Sequence, residues 1–497
     1  MSVKLKSDRF SVIMLALILM VAIAFRFSLI FATPGFATYY GVVTPIGDAA
    51  RNLAEGRGYA VDWEYVTSIT SRMEKENKYR LIDIQDMPPP LEEHLTPYYY
   101  FPPGPSALLA ATYLVTGENR YNNLRYLQAI IDAFGCIISF LLGRELLSRR
   151  AGLIAAFLYA VWRPIAHVAT WPLQDALMPF ITLVALYFFV LGVKRKSILF
   201  YALSGLAVGV GCYFQPSIML LPIVFGIALF VYDFRKREFR KQFANWAKVT
   251  VVMMAAVVIV ISPWVVRNYR VTGGWVGMRP GVWSGIWEGF GEFGQNPVGA
   301  QLSDSATYEL ATRELGHDID YMSPQYQAFF KAKVFNAIEE HPVWWTGLLA
   351  RRMPKAIFYY SRLAMHTPVG DMWHPKQTVT EVTKEGNFWD EVKSHPVTLF
   401  YIMPGYVIFI LSHWVVFLAL FGIWVIRKNW RTLGLILTAA VYFAAVNIVM
   451  FTAAPKSIMP GSITYVILCA VAVDYFYARI KGKGSLDLTY AGAPANS

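Results

Sequence analysis

From Phe10 to Phe31 the chain holds a single charged residue, Arg26. At 1.5 Å per residue, a helix of that length covers the roughly 30 Å hydrocarbon thickness of a bilayer. In lipid every backbone N–H and C=O must be satisfied inside the segment, so such a run is helical. Comparable apolar runs follow at 122–143, 151–169, 173–193, 198–214, 217–233, 248–267, 401–426, 432–451 and 459–479. Charged residues make up 16% of the 497-residue chain, against about a quarter in soluble proteins. The fold class is therefore an all-α polytopic membrane protein with about ten transmembrane helices.

The formal charge of +12 does not point to nucleic acid. The basic residues lie in short clusters between spans, where the positive-inside rule puts them. Lys4, Lys6 and Arg9 place the N-terminus in the cytoplasm. The apolar stretch Pro105 to Val115 is only half a span long, and charge decides its role. If it does not cross, Arg144, Arg149 and Arg150, then Lys194-Arg195-Lys196, Arg235-Lys236-Arg237, Arg427-Lys428 and Arg479 all fall inside. It is thus expected to be a re-entrant or juxtamembrane outer helix. Residues 34–104 and 268–400 become outer loops, the second large enough for a small, mostly helical domain. Three parts are expected: a membrane module over 1–267, the outer loop 268–400, and C-terminal helices with a cytoplasmic tail over 401–497.

Cys136, Cys212 and Cys469 all fall in spans, so no disulfide framework is expected. The sequence has no N-x-S/T acceptor, which favours a bacterial cytoplasmic membrane. The first run is too long for a signal-peptide core and is expected to remain as a span. No internal repeat of the kind that marks secondary transporters is visible. In the large loop, Ser323-Pro324 reads as an N-cap followed by proline at the first helical position, with His341-Pro342 ending that helix. Val343-Trp344-Trp345 with Arg351-Arg352 reads as an interfacial helix, either a lid or a packing element.

Candidate chemistry collects on the outer side. Asp48, just after the first span, is either a solvated turn residue or a general base. Asn52, Gly56 and Gly58 suggest a helix start and a tight turn that fix its position. Arg51 and Arg57 could hold phosphate or pair with Glu55. Asp175 is either a helix-capping residue behind Pro172 or a second acid in the same cavity. Arg163 and His167 end the preceding span and suggest a polar cavity there. Arg267, Lys456 and Arg26 form a set of cations at headgroup depth, suited to an anionic lipid headgroup. Asp132, inside the second span, is expected to pair with a polar group of the bundle. Glu92-Glu93-His94 and Glu339-Glu340-His341 lack metal-ligand spacing, so no metal and no cofactor are expected.

Asp48 after span one, the aromatic-Pro-Pro-Gly segment Phe101 to Gly104, and Pro263-Trp264-Val265-Val266-Arg267-Asn268-Tyr269 leading into Gly273 occur in order. This set resembles the GT-C superfamily of integral membrane glycosyltransferases. The branch it is most similar to holds the protein O-mannosyltransferases and the aminoarabinose and lipopolysaccharide-sugar transferases. The resemblance runs from the first span to the last. It implies transfer of a sugar from a polyprenyl-phosphate donor to an acceptor hydroxyl of a lipid, glycan or protein. It further implies Asp48 as base, Asp175 as second acid, and Arg267, Lys456 and Arg26 at the donor phosphate. Arg51, Arg163, His167, Tyr100 and Pro103 would line the substrate pocket. Two departures stand out: Ala49 follows Asp48 where many members place a second acid, and Lys456-Ser457 replace an Arg-Tyr pair. Two alternatives share these features: an isoprenoid-lipid flippase, and a polymerase or ligase using diphosphate-linked glycans.

Overall fold

The computed structural model describes residues 2–32, 40–76, 91–233, 238–358, 414–450 and 459–481. Helix α1 (Ser2–Ala32) runs the full height of the bundle. Val12, Ile13, Leu17 and Met20 stay exposed on it while Ile18 and Ala22 are buried, the pattern of a helix with one face in lipid. Next come α2 (Tyr40–Ala54), the short strand β1 (Ala60–Asp62), α3 (Trp63–Glu76) and strand β2 (Leu95–Pro97). The two strands pair antiparallel, with Val61 opposite Thr96. Helix α4 (Gly104–Thr116) has 13 residues, about 20 Å of helix and too short to span. It packs against α2 at one end of the bundle.

Helices α5 (Tyr121–Ala133) and α6 (Gly135–Leu146) together make one 26-residue candidate span. Helices α7 (Arg149–Val161) and α8 (Arg163–Ala169) meet at a 56° bend, with Pro164 in the first turn of α8. The run 151–169 is therefore a broken element rather than a straight helix. Then follow α9 (Met178–Arg195), α10 (Ile198–Cys212), α11 (Leu221–Asp233) and α12 (Phe239–Thr272), the last ended by Gly273 at φ 65°. Among the described residues seven helices are long and apolar enough to cross a membrane, or eight with the bent pair. The described parts of the ten apolar runs are mostly helix, and 401–413 lie outside the described residues. The count differs because α10 has only 15 residues and because Trp414–Met450 is continuous but for one turn at Arg427–Asn429.

Between α12 and Trp414 lie α13 (Val282–Phe290), α14 (Asp304–Leu315), α15 (Pro324–Glu340) and α16 (Pro342–Phe358). They share a second apolar core, with Trp287, Phe290, Tyr326, Phe330 and Val334 buried together. Ser323 caps α15 by accepting from the Tyr326 amide at 3.2 Å, and His341 ends it. The chain closes with α17 (Trp430–Met450) and α18 (Ile463–Ile480).

One buried ion pair ties the first half of the bundle together. Arg26 Nη2 lies 2.6 Å from Asp132 Oδ2, and both side chains are fully buried. Tyr159 Oη donates to Asp132 Oδ1 at 2.6 Å, and Arg26 Nη1 donates to the carbonyls of Ala22 and Ala160. Helices α1, α5 and α7 are thus joined by one satisfied polar network. Asp132 has its expected bundle partner. Arg26, expected at a donor phosphate, is instead committed to that partner in the interior. Removing one partner leaves the other charge buried and unpaired. Asp132→Ala is therefore expected to lose ~3–5 kcal/mol of stability, measured by thermal unfolding in detergent. Arg26→Met with Asp132→Leu is expected to recover most of the loss.

Candidate active site

Asp48 sits in the second half of α2, which is buried all round from Val43 to Asn52. The helix begins at Tyr40, so Asn52 lies near its end rather than at its start. Beyond the helix, Gly56 and Gly58 adopt φ of 80° and 84°, values that only glycine takes cheaply. They turn the chain back so that β1 runs past α2. The Asp62 amide then donates to Asp48 Oδ2 at 3.0 Å. Asn52, one turn after Asp48, donates to the same oxygen at 3.3 Å and to the Ala60 carbonyl at 2.9 Å. Its own Oδ1 accepts from Arg57 Nε at 2.9 Å. Arg57 also pairs with Glu55, and Arg51 donates to Tyr65 Oη at 3.3 Å. Asp48 is 0% exposed, and its Oδ1 has no hydrogen-bond partner among the described residues. Burial pushes its pKa up to about 6, against the Asp62 amide and Arg51, which pull it down. The result is a carboxyl with one oxygen fixed, one oxygen buried without a partner among the described residues, and an ionisation point suited to general-base work at neutral pH.

The hairpin that positions Asp62 is clamped from α12. Arg267 donates to the carbonyls of Tyr98 and Tyr59, both at 2.8 Å, with its guanidinium carbon 4.6 Å from the Trp264 ring centroid. Both terminal nitrogens serve the hairpin, so the expected phosphate fork is a backbone clamp. The next segment is held as firmly. Tyr59 Oη donates to the Phe101 carbonyl at 3.1 Å. The Gly104 amide donates to the Tyr213 carbonyl at 2.8 Å, and a Cβ on Gly104 would stand 2.5 Å from that oxygen. Pro103 is the N-cap of α4. Tyr99 and Tyr100 donate to the two oxygens of Asp320 at 3.0 and 3.1 Å. They join the first loop segment to the α13–α16 layer, so the Tyr100 hydroxyl is already committed.

Asp175 is buried in the turn that precedes α9. The helix begins at Met178 with Leu177 as N-cap and no side-chain cap, so Asp175 is not the capping residue that its place behind Pro172 suggested. A cation that sequence reading missed accompanies it. Arg279 interacts electrostatically with Tyr98, Asp175, Tyr321 and Asp304, and its guanidinium carbon lies 4.7 Å from the Phe101 ring centroid. Burial lowers its pKa, with Tyr98 and Asp175 opposing. The available signal was its place between Gly277 and Gly281, whose φ values of 64° and 98° turn the backbone on either side. Arg163, at the start of α8, has a buried Nε with no hydrogen-bond partner among the described residues. His167 packs edge-on against Trp171 and accepts from its Nε1 at 3.3 Å. Lys456 lies outside the described residues. Among the described residues no three His, Cys, Asp or Glu side chains converge as metal ligands.

Residues 101–266, about a third of the chain, match the family model of the dolichyl-phosphate-mannose-protein mannosyltransferases. Over that region the chain is similar to this family. Similar solved structures include the archaeal oligosaccharyltransferase AglB from Archaeoglobus fulgidus in complex with an inhibitory peptide and a dolichol-phosphate. It is 13% identical with a TM-score of 0.49, and the match covers 99% of this chain and 53% of that one. ArnT from Cupriavidus metallidurans bound to undecaprenyl phosphate is 15% identical, with a TM-score of 0.34 and coverage of 94% and 79%. The chain thus spans about half the length of the oligosaccharyltransferase. No curated protein matches it.

Two tests follow from this geometry. Removing a donor from Oδ2 disfavours the ionised form, so Asn52→Ala is expected to raise the Asp48 titration midpoint above about 6. Infrared difference spectra of the carboxyl band, referenced to Asp48→Asn, measure it. Arg267→Lys keeps the charge but cannot reach two carbonyls with a rigid fork. It is expected to cost ~1.5–3 kcal/mol for the lost charge-assisted bond, read from thermal unfolding.

Proposed function

We propose that this protein is a glycosyltransferase that moves a sugar from a polyprenyl-phosphate donor to an acceptor hydroxyl, with inversion at the anomeric carbon. The observation that carries the reading is Asp48: Oδ2 held by Asp62 and Asn52, Oδ1 buried without a hydrogen-bond partner among the described residues, and ionisation near 6. In the proposed step the acceptor oxygen attacks the anomeric carbon while its proton passes to Asp48 Oδ1. The bond from that carbon to the phosphate oxygen breaks, and the lipid phosphate leaves with the electron pair. Neither a nucleotide-binding glycine loop nor a nucleotide is needed for such a donor. The matched family is described by a lipid-phosphate sugar donor, which supports the same class here.

A phosphate leaving group needs cations in a site shielded from water. Arg163 and Arg279 are the described arginines that suit it, the first for its unpartnered Nε and the second for its place beside Asp175. Lys456 is proposed to join them. Asp175 is the proposed second acid, placed to orient Arg279 or an acceptor hydroxyl. Loop 34–104 would supply the base, and loop 268–400 would cover the acceptor side through the Tyr99–Tyr100–Asp320 contact. The site would face the outside of a bacterial cytoplasmic membrane, because the basic clusters lie at the opposite end of the bundle. Lipid, glycan and protein acceptors all present the required hydroxyl.

The test is transfer of labelled sugar from polyprenyl-phosphate donors to endogenous acceptors in membranes. Asp48→Asn, at matched protein level and with donor binding retained, is expected to lose ~10²–10⁴-fold in rate. Equal transfer by both proteins would remove Asp48 from catalysis, and no transfer across a donor panel would favour a flippase. The base must be ionised to act. Wild-type rate is therefore expected to fall about tenfold per pH unit below the midpoint near 6 and to level off above it.

A further inference from the structure

The other end of the bundle carries a cleft that the proposed chemistry does not use. Its volume is about 290 Å³, and Ser11, Val12 and Leu15 of α1, Phe140 and Arg144 of α6, and Arg149 of α7 line it. It lies near the start of α1, whereas Asp48 follows the far end of that helix, about 30 Å away along its axis. Val12 on one wall is 68% exposed, so the cleft opens sideways toward lipid. Arg149 donates through Nε to Ser11 Oγ, which fixes its guanidinium on the wall. Arg144 lies over the Phe140 ring, with the Glu145 carboxylate 3.7 Å from its Nη2 at the rim. Arg150, the next basic residue, is turned away to Asp474 and the Tyr477 ring.

We infer that this cleft is a binding site for an anionic phospholipid of the leaflet at the basic end of the bundle. The two guanidinium groups would hold the phosphodiester, while Leu15, Phe140 and Val12 would cover the glycerol and first acyl carbons. The composition of the wall argues for a lipid over a soluble phosphate. Two arginines at headgroup depth attract negative charge, yet most of the remaining surface is apolar and would be wetted at a cost by a free ion. A guanidinium also matches phosphate oxygens in a fork, which a zwitterionic headgroup partly neutralises with its own ammonium. The α7 N-terminus, capped by Ser148, adds its positive end on the same side. This inference is independent of Asp48 and of the proposed transfer.

Native mass spectrometry of the purified full-length protein, with added dioleoyl-phosphatidylglycerol or dioleoyl-phosphatidylcholine, tests it. Wild type is expected to retain the anionic lipid about tenfold better than the zwitterionic one. Arg144→Gln with Arg149→Gln is expected to abolish that preference, and Val12→Trp, at the exposed mouth, to reduce binding of both lipids. Unfolding temperatures without added lipid show whether the variants fold. If the double variant does not, Val12→Trp and Arg144→Gln alone decide the matter. No headgroup preference in wild type, or a preference undiminished in the folded variants, overturns the inference. Undecaprenyl phosphate is the third probe. If it displaces phosphatidylglycerol and the same variants abolish its binding, the occupant is a carrier lipid and the phospholipid assignment fails.

Discussion

The hydrogen bond from the Asp62 amide to Asp48 Oδ2 is the contact on which the candidate site depends. Desolvation penalises the charged form of a carboxyl buried this deeply and raises its pKa. The Asp62 amide and the Arg51 and Arg57 charges oppose that rise, and the midpoint stands at about 6. The donor is available only because Gly56 and Gly58 reverse the chain and because β2 pairs with β1. Arg267 then secures the hairpin by the carbonyls of Tyr98 and Tyr59, the second of which also accepts from the Tyr98 amide at 3.0 Å. A short helix after the first span, a glycine turn and a two-stranded ribbon thus converge on one oxygen atom, leaving the other without a partner among the described residues.

The arginines show how membrane context divides one residue type among several tasks. Arg26 is a structural cation, neutralised by Asp132 within the α1, α5 and α7 packing. Arg267 is a clamp on peptide carbonyls, and Arg352 is another, joining Glu292 and the carbonyls of Gly289 and Ile448. Arg163 and Arg279 differ: the first keeps a buried nitrogen without a hydrogen-bond partner among the described residues, and the second is within electrostatic reach of Tyr98, Asp175 and Tyr321. A guanidinium has five donors and a fixed plane, so its role follows from which oxygens stand within reach. In a bilayer those oxygens are few, and backbone carbonyls often reach it first.

Much of the architecture was legible along the chain. Runs of about twenty apolar residues have one structural solution in lipid, so an all-helical membrane fold was legible before any contact was known, whereas the number of spans was not. The Ser323-Pro324 cap and the Gly56–Gly58 turn were legible for a similar reason, since they are set by local dihedral preference. The 56° break at Trp162 was not, because Pro164 is tolerated in a first helical turn and equally starts a new helix. Asp175 was misplaced by the same ambiguity: Pro172 reads as a helix start, yet α9 begins at Met178.

The sequence by itself determined that this is a helical membrane protein, that its basic clusters separate from its acidic loop, and that Asp48 lies just beyond the first span. These are consequences of composition, length and local geometry, each readable within twenty residues. Only the tertiary structure decided which cation meets which anion. Arg26 and Asp132 are 106 positions apart, and Arg267 and Tyr59 are 208 apart. Arg279 is within electrostatic reach of Asp175, brought there by a turn that no periodicity marks. Charge pairing acts over a few ångströms in a low-dielectric interior, and no local pattern encodes which distant segments will be that close.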